Sequence, residues 1–380
     1  MKRAWTIKSL AELCDFQRGL TYSKGDEVEI SDNAVLRANN IDLATHRLDF
    51  SELKYISDKV QVPSAKMVRS DSLLICTASG SKSHLGKVAF VDQDYGYAFG
   101  GFMGQITPRK EVVPKFLFHA MTSQQYKQFI TALSDGANIN NLKFGDLGKF
   151  PIPVPPLAEQ QRIVALLDEA FTGLATAQAH AERNLRNARA LFESHLNAVF
   201  TQRGEGWVER KLGEICIVDW GNTDLTKKSY VEGGAFLAVS AAGCDGRIGH
   251  KEHSKHTPVL SAIGAQCGRM FLPDEDFTAI KNTITLTPRE GLCTGRFLYR
   301  LLTHVELPKR GAAQPFIAKG DIQAFSVSMP ESLSAQTEIE AALAGLHAET
   351  HRLTRLYEQK LAALAALKQS FLHQAFSGAL

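Results

Sequence analysis

The chain has 380 residues, 44% of them hydrophobic, and its 43 Lys and Arg against 40 Asp and Glu leave a net charge of only +3 at pH 7. A polybasic protein that binds nucleic acid through bulk charge is therefore excluded, and the length predicts two or three domains. Because the sequence shows neither a charged-then-apolar leader nor an apolar run of about 18 residues, we expect a cytoplasmic protein with no membrane segment.

The six cysteines argue against a disulfide framework and against a structural zinc site. None of them forms a Cys-x-x-Cys pair, and no histidine follows at zinc-finger spacing. We therefore expect reduced thiols that serve as small buried hydrophobic side chains.

The first globule is predicted to span residues 1–156 and to mix strands with one helix. Residues 71–77 and 86–91 are short apolar runs bounded by Gly, Ser and Asp, which is typical of strands. Residues 114–133 are predicted to form a helix near its end.

A long spacer helix is predicted to follow at residues 157–201. Pro155 and Pro156 precede it, and it contains no proline and one glycine, Gly173. Its apolar residues recur at helical spacing, for example Leu167, Phe171 and Leu174. At a rise of about 1.5 Å per residue the helix would be roughly 65 Å long.

The second globule, at residues 202–330, has the same composition of elements. Strands are predicted at 235–239 and 282–286, and a helix at 294–304. A second long helix is predicted to occupy residues 331–380.

The two halves of the chain form an internal repeat. Trp5, Cys14 and Gly19 recur 202 positions later as Trp207, Cys216 and Gly221. Further pairs, with shifts of 175 or 176 positions, are Gly145 with Gly320, Asp146 with Asp321, Gln160 with Gln336 and Leu167 with Leu343. A repeat of this period sets the fold class before any local pattern is considered.

We therefore predict an α+β fold: two similar mixed α/β domains separated by two long α-helices. Each helix is too long to bury its apolar stripe on its own globule, so we expect the two to pack as an antiparallel coiled coil with pseudo-twofold symmetry. The alternative is that each helix packs independently on its own domain or on a partner subunit.

The motifs of common enzymes are missing, so we predict no catalytic residues, no metal site and no cofactor. The sequence from Gly80 to Val88 has five residues between its glycines where a phosphate-binding loop has four. The chain also contains no G-x-S-x-G, H-E-x-x-H or strand-following G-x-G-x-x-G motif.

Polar loops rich in Gly, Asn and basic residues occur instead in both halves. Side chains of Arg, Lys, Asn and Gln can bond to base edges, while Ser and backbone amides can hold phosphates. A loop of this composition can equally be a solvated turn. The candidate DNA-binding residues are Arg37, Asn39, Asn40, Ser81, Lys82, Ser83, His84, Asn138, Asn140, Asn141, Lys143, Arg247, Lys251, His253, Lys309, Arg310 and Gln314.

The architecture and several motifs resemble the specificity subunit of type I restriction-modification systems. These motifs are Leu36-Arg37-Ala38-Asn39-Asn40-Ile41, Ser79-Gly80-Ser81 and above all the run from Pro151 to Ile163, PIPVPPLAEQQRI, at the start of the long helix. In the second copy only the Pro, Gln and Ile positions of that run persist, as Pro330, Gln336 and Ile339.

The resemblance implies that each globule is a target recognition domain for one half of a bipartite, asymmetric DNA site, and that the helices fix the spacer between the halves. It also implies that the chain does no chemistry alone and recruits two adenine-N6 methyltransferase subunits and translocating restriction subunits. In agreement, the sequence has no Asn-Pro-Pro-Tyr or Asp-Pro-Pro-Tyr tetrapeptide for a flipped adenine. The candidate docking residues on the helices are Gln160, Arg162, Arg183, Gln336, Arg352 and Arg355.

Two alternatives from other functional classes stay open at this point. The first is a stand-alone nuclease or methyltransferase with duplicated domains, which would show activity as a purified chain. The second is a coiled-coil scaffold whose two globules bind something other than DNA. That scaffold would show no salt-dependent DNA affinity.

Overall fold

The computed structural model describes residues 5–135 and 141–380. The chain divides into two compact units. Unit 1 comprises the chain up to Ala181 together with Lys360–Leu380, and unit 2 comprises Glu182–Gln359. Each unit therefore contains one globule and a part of both long helices.

Unit 1 is built from short strands and four short helices, followed by the first long helix. The strands are β1 (Thr6–Ser9), β2 (Cys14–Arg18), β3 (Glu27–Val28), β4 (Asn33–Leu36), β5 (Lys54–Ile56), β6 (Ser72–Cys76), β7 (Val88–Val91), β8 (Ala98–Phe99), β9 (Met103–Pro108) and β10 (Pro151–Val154). The helices are α1 (Leu10–Leu13), α2 (Pro114–Ala120), α3 (Gln124–Asp135), α4 (Phe144–Leu147) and α5 (Leu157–Gln202).

The strands of unit 1 form three sheets, in the orders β2-β9-β6-β7, β3-β5-β4-β8 and β1-β10. All five residues of β6 are buried, because its run of Leu73, Leu74 and Ile75 has apolar neighbours on both faces of the sheet. The core below this sheet contains Phe116 and Leu117 of α2.

The helix predicted at 114–133 is two helices, α2 and α3, so that prediction was wrong in detail. Thr122 and Ser123 interrupt it: their hydroxyls donate to the carbonyls of His119 and Ala120 at 3.1 and 2.7 Å. Such side-chain bonds compete with the helical backbone pattern.

Unit 2 repeats this plan with fewer strands. Its strands are β11 (Trp207–Lys211), β12 (Cys216–Trp220), β13 (Phe236–Ser240), β14 (Gly243–Ile248), β15 (Val259–Ser261), β16 (Met270–Phe271), β17 (Phe277–Ala279), β18 (Thr283–Pro288) and β19 (Ser326–Pro330). Its helices are α6 (Leu212–Ile215), α7 (Gly295–His304), α8 (Lys319–Ala324) and the first part of α9 (Leu333–Ser377), whose residues from Lys360 onward belong to unit 1.

The sheets of unit 2 have the orders β12-β18-β15-β16, β14-β13-β17 and β11-β19. The first and the last have the same connectivity as β2-β9-β6-β7 and β1-β10 of unit 1. The remaining sheets, β3-β5-β4-β8 and β14-β13-β17, match only in part. Each contains one parallel pair of strands, β4 with β8 in unit 1 and β13 with β17 in unit 2. The internal repeat in the sequence is thus a repeat of topology.

The long helices α5 and α9 run antiparallel within each unit, as predicted. In unit 1 the Arg162 guanidinium donates to the Leu380 carbonyl at 2.9 Å, and the Lys368 ammonium lies 5.3 Å from the centre of the Phe171 ring. In unit 2 Phe192 contacts His347 with 5.0 Å between ring centres. Across the described residues, every helix is too short or too polar to span a membrane.

All six cysteines are free, and five are buried, as expected of small apolar side chains. Cys244 is the exception, since it is exposed on β14. Burial raises the pKa of the Cys14 thiol to about 12, so this sulfur is a neutral thiol.

Candidate nucleic-acid interface

In unit 1 the chain beyond the central strand β6 brings two of the predicted polar loops together. The Leu142 amide donates to the Thr77 carbonyl at 2.6 Å, and Asn141 pairs with Ala78 in an antiparallel bridge. The turn at residues 79–84 therefore lies beside the segment at 141–143. Both are anchored on the end of the same buried strand.

The side chains of this loop pair present polar atoms to solvent. Ser81 and Ser83 are exposed, with 2.8 Å between their hydroxyl oxygens, and His84 is half-buried. Lys143 is exposed at the start of α4. Lys82 lies in the same turn, where the structure describes only its backbone. The predicted residues Asn138 and Asn140 lie outside the described residues.

The third predicted loop of unit 1, after β4, needs one correction. Asn40 is 1% exposed, and backbone groups hold its amide: its oxygen accepts from the Arg37 amide, and its nitrogen donates to the Asp49 and Glu52 carbonyls. A side chain buried and held in this way cannot reach a base edge. Asn40 instead shapes the turn that carries exposed Asn39 and half-buried Arg37.

Unit 2 contains an equivalent loop pair beyond β15. The Ile317 amide donates to the Ala262 carbonyl at 2.8 Å, and Phe316 pairs with Ile263 in an antiparallel bridge. The predicted residues Lys309, Arg310 and Gln314 are exposed in this segment. Lys309 lies over Gly268, whose φ of +91° is a backbone conformation that favours glycine.

The remaining predicted residues of unit 2 flank the sheet β14-β13-β17 and are less free to bind an anion. Arg247 forms an ion pair with Glu275 at 2.7 Å, and Lys251 forms one with Asp276 at 2.5 Å. His253 is half-buried against Phe277, and this burial lowers its pKa. The histidine is therefore neutral at pH 7.

The basic side chains of the two loop pairs differ in their electrostatic state. Arg310 forms an ion pair with Asp321, whereas Lys143 and Lys309 form none with the described residues. The charge of Lys143 helps to lower the pKa of the nearby Asp146 carboxyl, but neither lysine has to give up an ion pair before it can bind a phosphate. These two lysines are accordingly the stronger phosphate-binding candidates.

Two of the predicted docking residues, Gln160 and Gln336, do not lie on the surface. Both are 0% exposed. The Gln160 oxygen accepts from the Val113 amide at 2.8 Å, and its nitrogen donates to the Glu111 and Pro155 carbonyls at 3.0 and 2.9 Å. Because all three of these hydrogen bonds are internal to unit 1, this residue has no role as an exposed docking contact.

Gln336 makes the same three bonds in unit 2. Its oxygen accepts from the Thr294 amide at 3.2 Å, and its nitrogen donates to the Leu292 and Pro330 carbonyls, both at 3.0 Å. Each glutamine thus ties the start of its long helix to a loop of its globule and to the strand before the helix. We call this arrangement the glutamine clamp.

The four predicted docking arginines are exposed on the long helices. Arg162 bonds to Glu159 and to the Leu380 carbonyl, and Arg352 forms an ion pair with Glu349. Arg183 and Arg355 present their side chains to solvent. Exposed ion pairs of this kind contribute little to stability, which leaves these arginines free to act at a surface.

Sequence reasoning missed two exposed aromatic side chains beside the loop pairs. Phe102 is 70% exposed, and its carbonyl accepts from the Thr77 and Ala78 amides. Phe316 is 39% exposed within the unit 2 loop pair. The sequence did carry a signal that these residues lie in loops, because Gly101 precedes Phe102 and Pro315 precedes Phe316.

A family model for the type I restriction-modification DNA specificity domain matches the chain twice, at residues 2–182 and 204–362. The chain belongs to this specificity family. The two matches cover both globules and large parts of the long helices, in agreement with the repeated topology.

Two relatives that match over the whole of this specificity chain are themselves specificity subunits. The StySPI specificity subunit of Salmonella potsdam is 25% identical over 100% of this chain and 90% of that protein. The EcoKI specificity subunit of Escherichia coli strain K12 is 26% identical with the same coverage. The chain is therefore a specificity subunit, a non-catalytic component that works within a type I complex.

Solved structures agree on the fold of this specificity subunit. A chain from a study of complex assembly and conformational transition in a type I system matches with a TM-score of 0.77 over 99% of this chain and 98% of that one, at 21% identity. The HsdS subunit from Thermoanaerobacter tengcongensis matches with a TM-score of 0.67 over 100% and 98%, also at 21% identity. The predicted fold class is thus confirmed.

Proposed function

We propose that each globule reads one half of a bipartite, asymmetric DNA site, and that α5 and α9 set the distance between the halves. The observation that supports this most strongly is the pair of equivalent loop pairs, each built on the same strand end of a repeated topology. Their residues differ between the units, so the two half-sites should differ in sequence. The domain boundaries of this proposal are 1–156 and 202–330 for the two target recognition domains, and 157–201 and 331–380 for the helices.

The proposed DNA-binding residues form three groups: those that would bind phosphates, those that can bond to base edges, and those already held in ion pairs. Lys143 and Lys309 would bind phosphates, with Ser81 and Ser83 adding hydroxyl donors. Arg37, Asn39, Asn141 and Gln314 have the chemistry to bond to base edges. Arg247, Lys251 and Arg310 would have to exchange a carboxylate partner for a phosphate, so their contribution to affinity should be smaller.

The proposed partners are double-stranded DNA, two adenine-N6 methyltransferase subunits and translocating restriction subunits. Exposed residues at equivalent positions of the two helices support a repeated docking surface for two like subunits. Leu191 and Leu367, 176 positions apart, are 49% and 44% exposed. Arg162, Arg183, Arg352 and Arg355, exposed on the same two helices, would add charged contacts to this surface. Because its DNA would be reached in the bacterial cytoplasm, a cytoplasmic location belongs to the same proposal.

The direct test is long-read methylation sequencing of cells with and without the gene, in the presence of the candidate methyltransferase partner. We expect one bipartite motif with a methylated adenine in each half, and its loss when the gene is deleted. Unchanged adenine methylation with an active partner would contradict the proposal.

Salt dependence of DNA binding distinguishes this function from a scaffold that does not bind DNA. Binding of the assembled methyltransferase complex to the recovered motif should weaken steeply as salt rises, because phosphate contacts release counterions. A matched duplex with both half-sites scrambled serves as the control. Equal affinity for the two duplexes would show that the chain confers no sequence specificity.

A further inference from the structure

In each unit, the end of the central strand lies between one exposed phenylalanine and one exposed asparagine. In unit 1 the Phe102 carbonyl accepts from the Thr77 and Ala78 amides at 2.9 and 3.2 Å on one side. On the other side Asn141 pairs with Ala78 in an antiparallel bridge. Phe102 and Asn141 therefore flank the same two residues.

Unit 2 has the same two positions with the residue types exchanged. The Asn282 carbonyl accepts from the Ala262 amide at 2.9 Å, so Asn282 occupies the position of Phe102. Phe316 pairs with Ile263 and occupies the position of Asn141. The sequence shifts agree with this equivalence. Phe102 and Asn282 are 180 positions apart, and so are the starts of β9 and β18. Asn141 and Phe316 are 175 positions apart, and so are the starts of α4 and α8.

The exposure of these side chains is not explained by the packing of either unit. Phe102 is 70% exposed and Phe316 39% exposed, while both asparagines are exposed. Exposed apolar side chains occur elsewhere in both units, but these two rings lie beside polar loops at the equivalent strand end, where a bound partner can cover their apolar surface. The adjacent exposed lysines, Lys143 beside Asn141 and Lys281 beside Asn282, favour a polyanion.

The two side chains are complementary to the major-groove edges of A·T base pairs. An asparagine amide can bond bidentately to N6 and N7 of adenine, and an aromatic ring can pack on the thymine methyl group. Neighbouring strands are about 4.8 Å apart, so two residues on either side of one strand are roughly 10 Å apart. That distance corresponds to about three base-pair steps of 3.4 Å. Both side chains can therefore reach the same short run of bases.

Building on the proposed function, we propose that Phe102 with Asn141, and Phe316 with Asn282, are specificity-determining pairs that recognise A·T base pairs, one pair in each half-site. The ring contacts the thymine methyl group, and the asparagine bonds to adenine. Because the residue types are exchanged, the order of the two contacts along the DNA differs between the half-sites.

The test uses the full chain in complex with its methyltransferase partner and duplexes carrying the motif recovered by methylation sequencing. Thymines in each half-site are replaced one at a time by deoxyuracil, which lacks only the methyl group. For the wild type we expect about a 5-fold or greater loss of affinity at one thymine in each half. Phe102→Ala should weaken binding to the unmodified duplex by a similar factor and abolish the uracil effect in one half only. Phe316→Ala should do the same in the other half.

Two exposed apolar residues of the same units serve as matched controls. Ile30 of unit 1 is 81% exposed and Val231 of unit 2 is 50% exposed, both outside the loop pairs. Ile30→Ala and Val231→Ala should leave affinity and the uracil effect unchanged, and the melting temperature of all four variants should match the wild type.

The inference is overturned if the Phe102→Ala and Phe316→Ala complexes bind within about twofold of the wild type, or if they keep the uracil effect. In that case the wild type would still select its motif, and the proposed function would stand. If the wild-type complex binds the motif no better than a scrambled duplex, the proposed function itself fails and this inference fails with it.

Discussion

At the scale of single residues, the most informative finding is that Gln160 and Gln336 are internal. The Gln160 side chain is buried, and its two N–H donors and its oxygen all bond to backbone groups. These bonds fix three segments of the chain relative to one another. The segments joined by Gln160 are the loop at 111–113, Pro155 between β10 and the helix, and α5 itself. The clamp therefore sets the direction in which the long helix leaves its globule.

Replacing Gln160 with leucine should lower the free energy of unfolding of unit 1 by about 2–4 kcal/mol, because the Val113 amide and two carbonyls lose their buried partner. Chemical denaturation followed by circular dichroism would measure this loss. The neighbouring Gln161 is exposed, so Gln161→Leu is the matched control and should change stability by less than about 0.5 kcal/mol. Equal effects of the two substitutions would refute the clamp.

The sequence repeat identified both glutamines as equivalent but gave no information about their orientation. A polar residue in the first turn of a long amphipathic helix is ordinarily solvated, so an outward position was the reasonable expectation. Burial of Gln160 depends on the loop at 111–113, which approaches the helix only in the folded unit. Asn40 was misjudged for the same reason, since its partners are 9 and 12 residues further along the chain.

At the scale of elements, α2 and α5 are joined by hydrogen bonds among three polar residues, Lys115, His119 and Asp168. Asp168 of α5 accepts from His119 at 3.2 Å and from Lys115 at 2.6 Å, both on α2. These two hydrogen bonds lower the pKa of the Asp168 carboxyl to about 2, and the bond from His119 has the larger effect. The ionised carboxylate is therefore stabilised by folding.

Because the folded pKa of Asp168 lies below its unfolded value of 3.8, its contribution is present above about pH 4 and is lost as the pH falls toward 2. Asp168→Asn should cost about 1 kcal/mol at pH 7, after allowance for partial exposure of the carboxylate. The difference between variant and wild type should shrink between pH 4 and pH 2. Urea unfolding across this pH range would measure it.

The exposed Glu169 on the same helix turn provides the control for this prediction. Glu169→Gln should leave stability nearly unchanged at every pH. A difference for Asp168→Asn that is the same at pH 7 and pH 2 would mean that packing, and not the charge of the carboxylate, fastens the two helices.

Sequence patterns located most elements but not all of their ends. The strands predicted at 71–77 and 282–286 correspond to β6 and β18, because β-branched and aliphatic runs bounded by turn residues are specific enough. The break between α2 and α3 was missed, since Thr122 and Ser123 are tolerated inside many helices. Whether their hydroxyls bond to the backbone depends on local geometry.

At the scale of the whole molecule, the duplication gives two units with one topology and different loops. Each target recognition domain should then be exchangeable without its counterpart. Replacing residues 1–156 with those of another member of the family should change one half of the methylated motif and leave the other half and the spacer intact. Methylation sequencing of cells expressing the hybrid would read both halves at once. A change in both halves would contradict independent recognition.

By itself, the sequence determined the repeat, the two long helices, the mixed globules and the family, because periodicity and motif spacing are local or additive along the chain. Only the tertiary structure decided which polar residues are available. It buried Gln160, Gln336 and Asn40, paired Arg247 and Lys251 with acids, and exposed Phe102 and Phe316. The physical reason is that burial and hydrogen-bond saturation depend on segments distant in sequence, which come together only when the globule closes around its central strand.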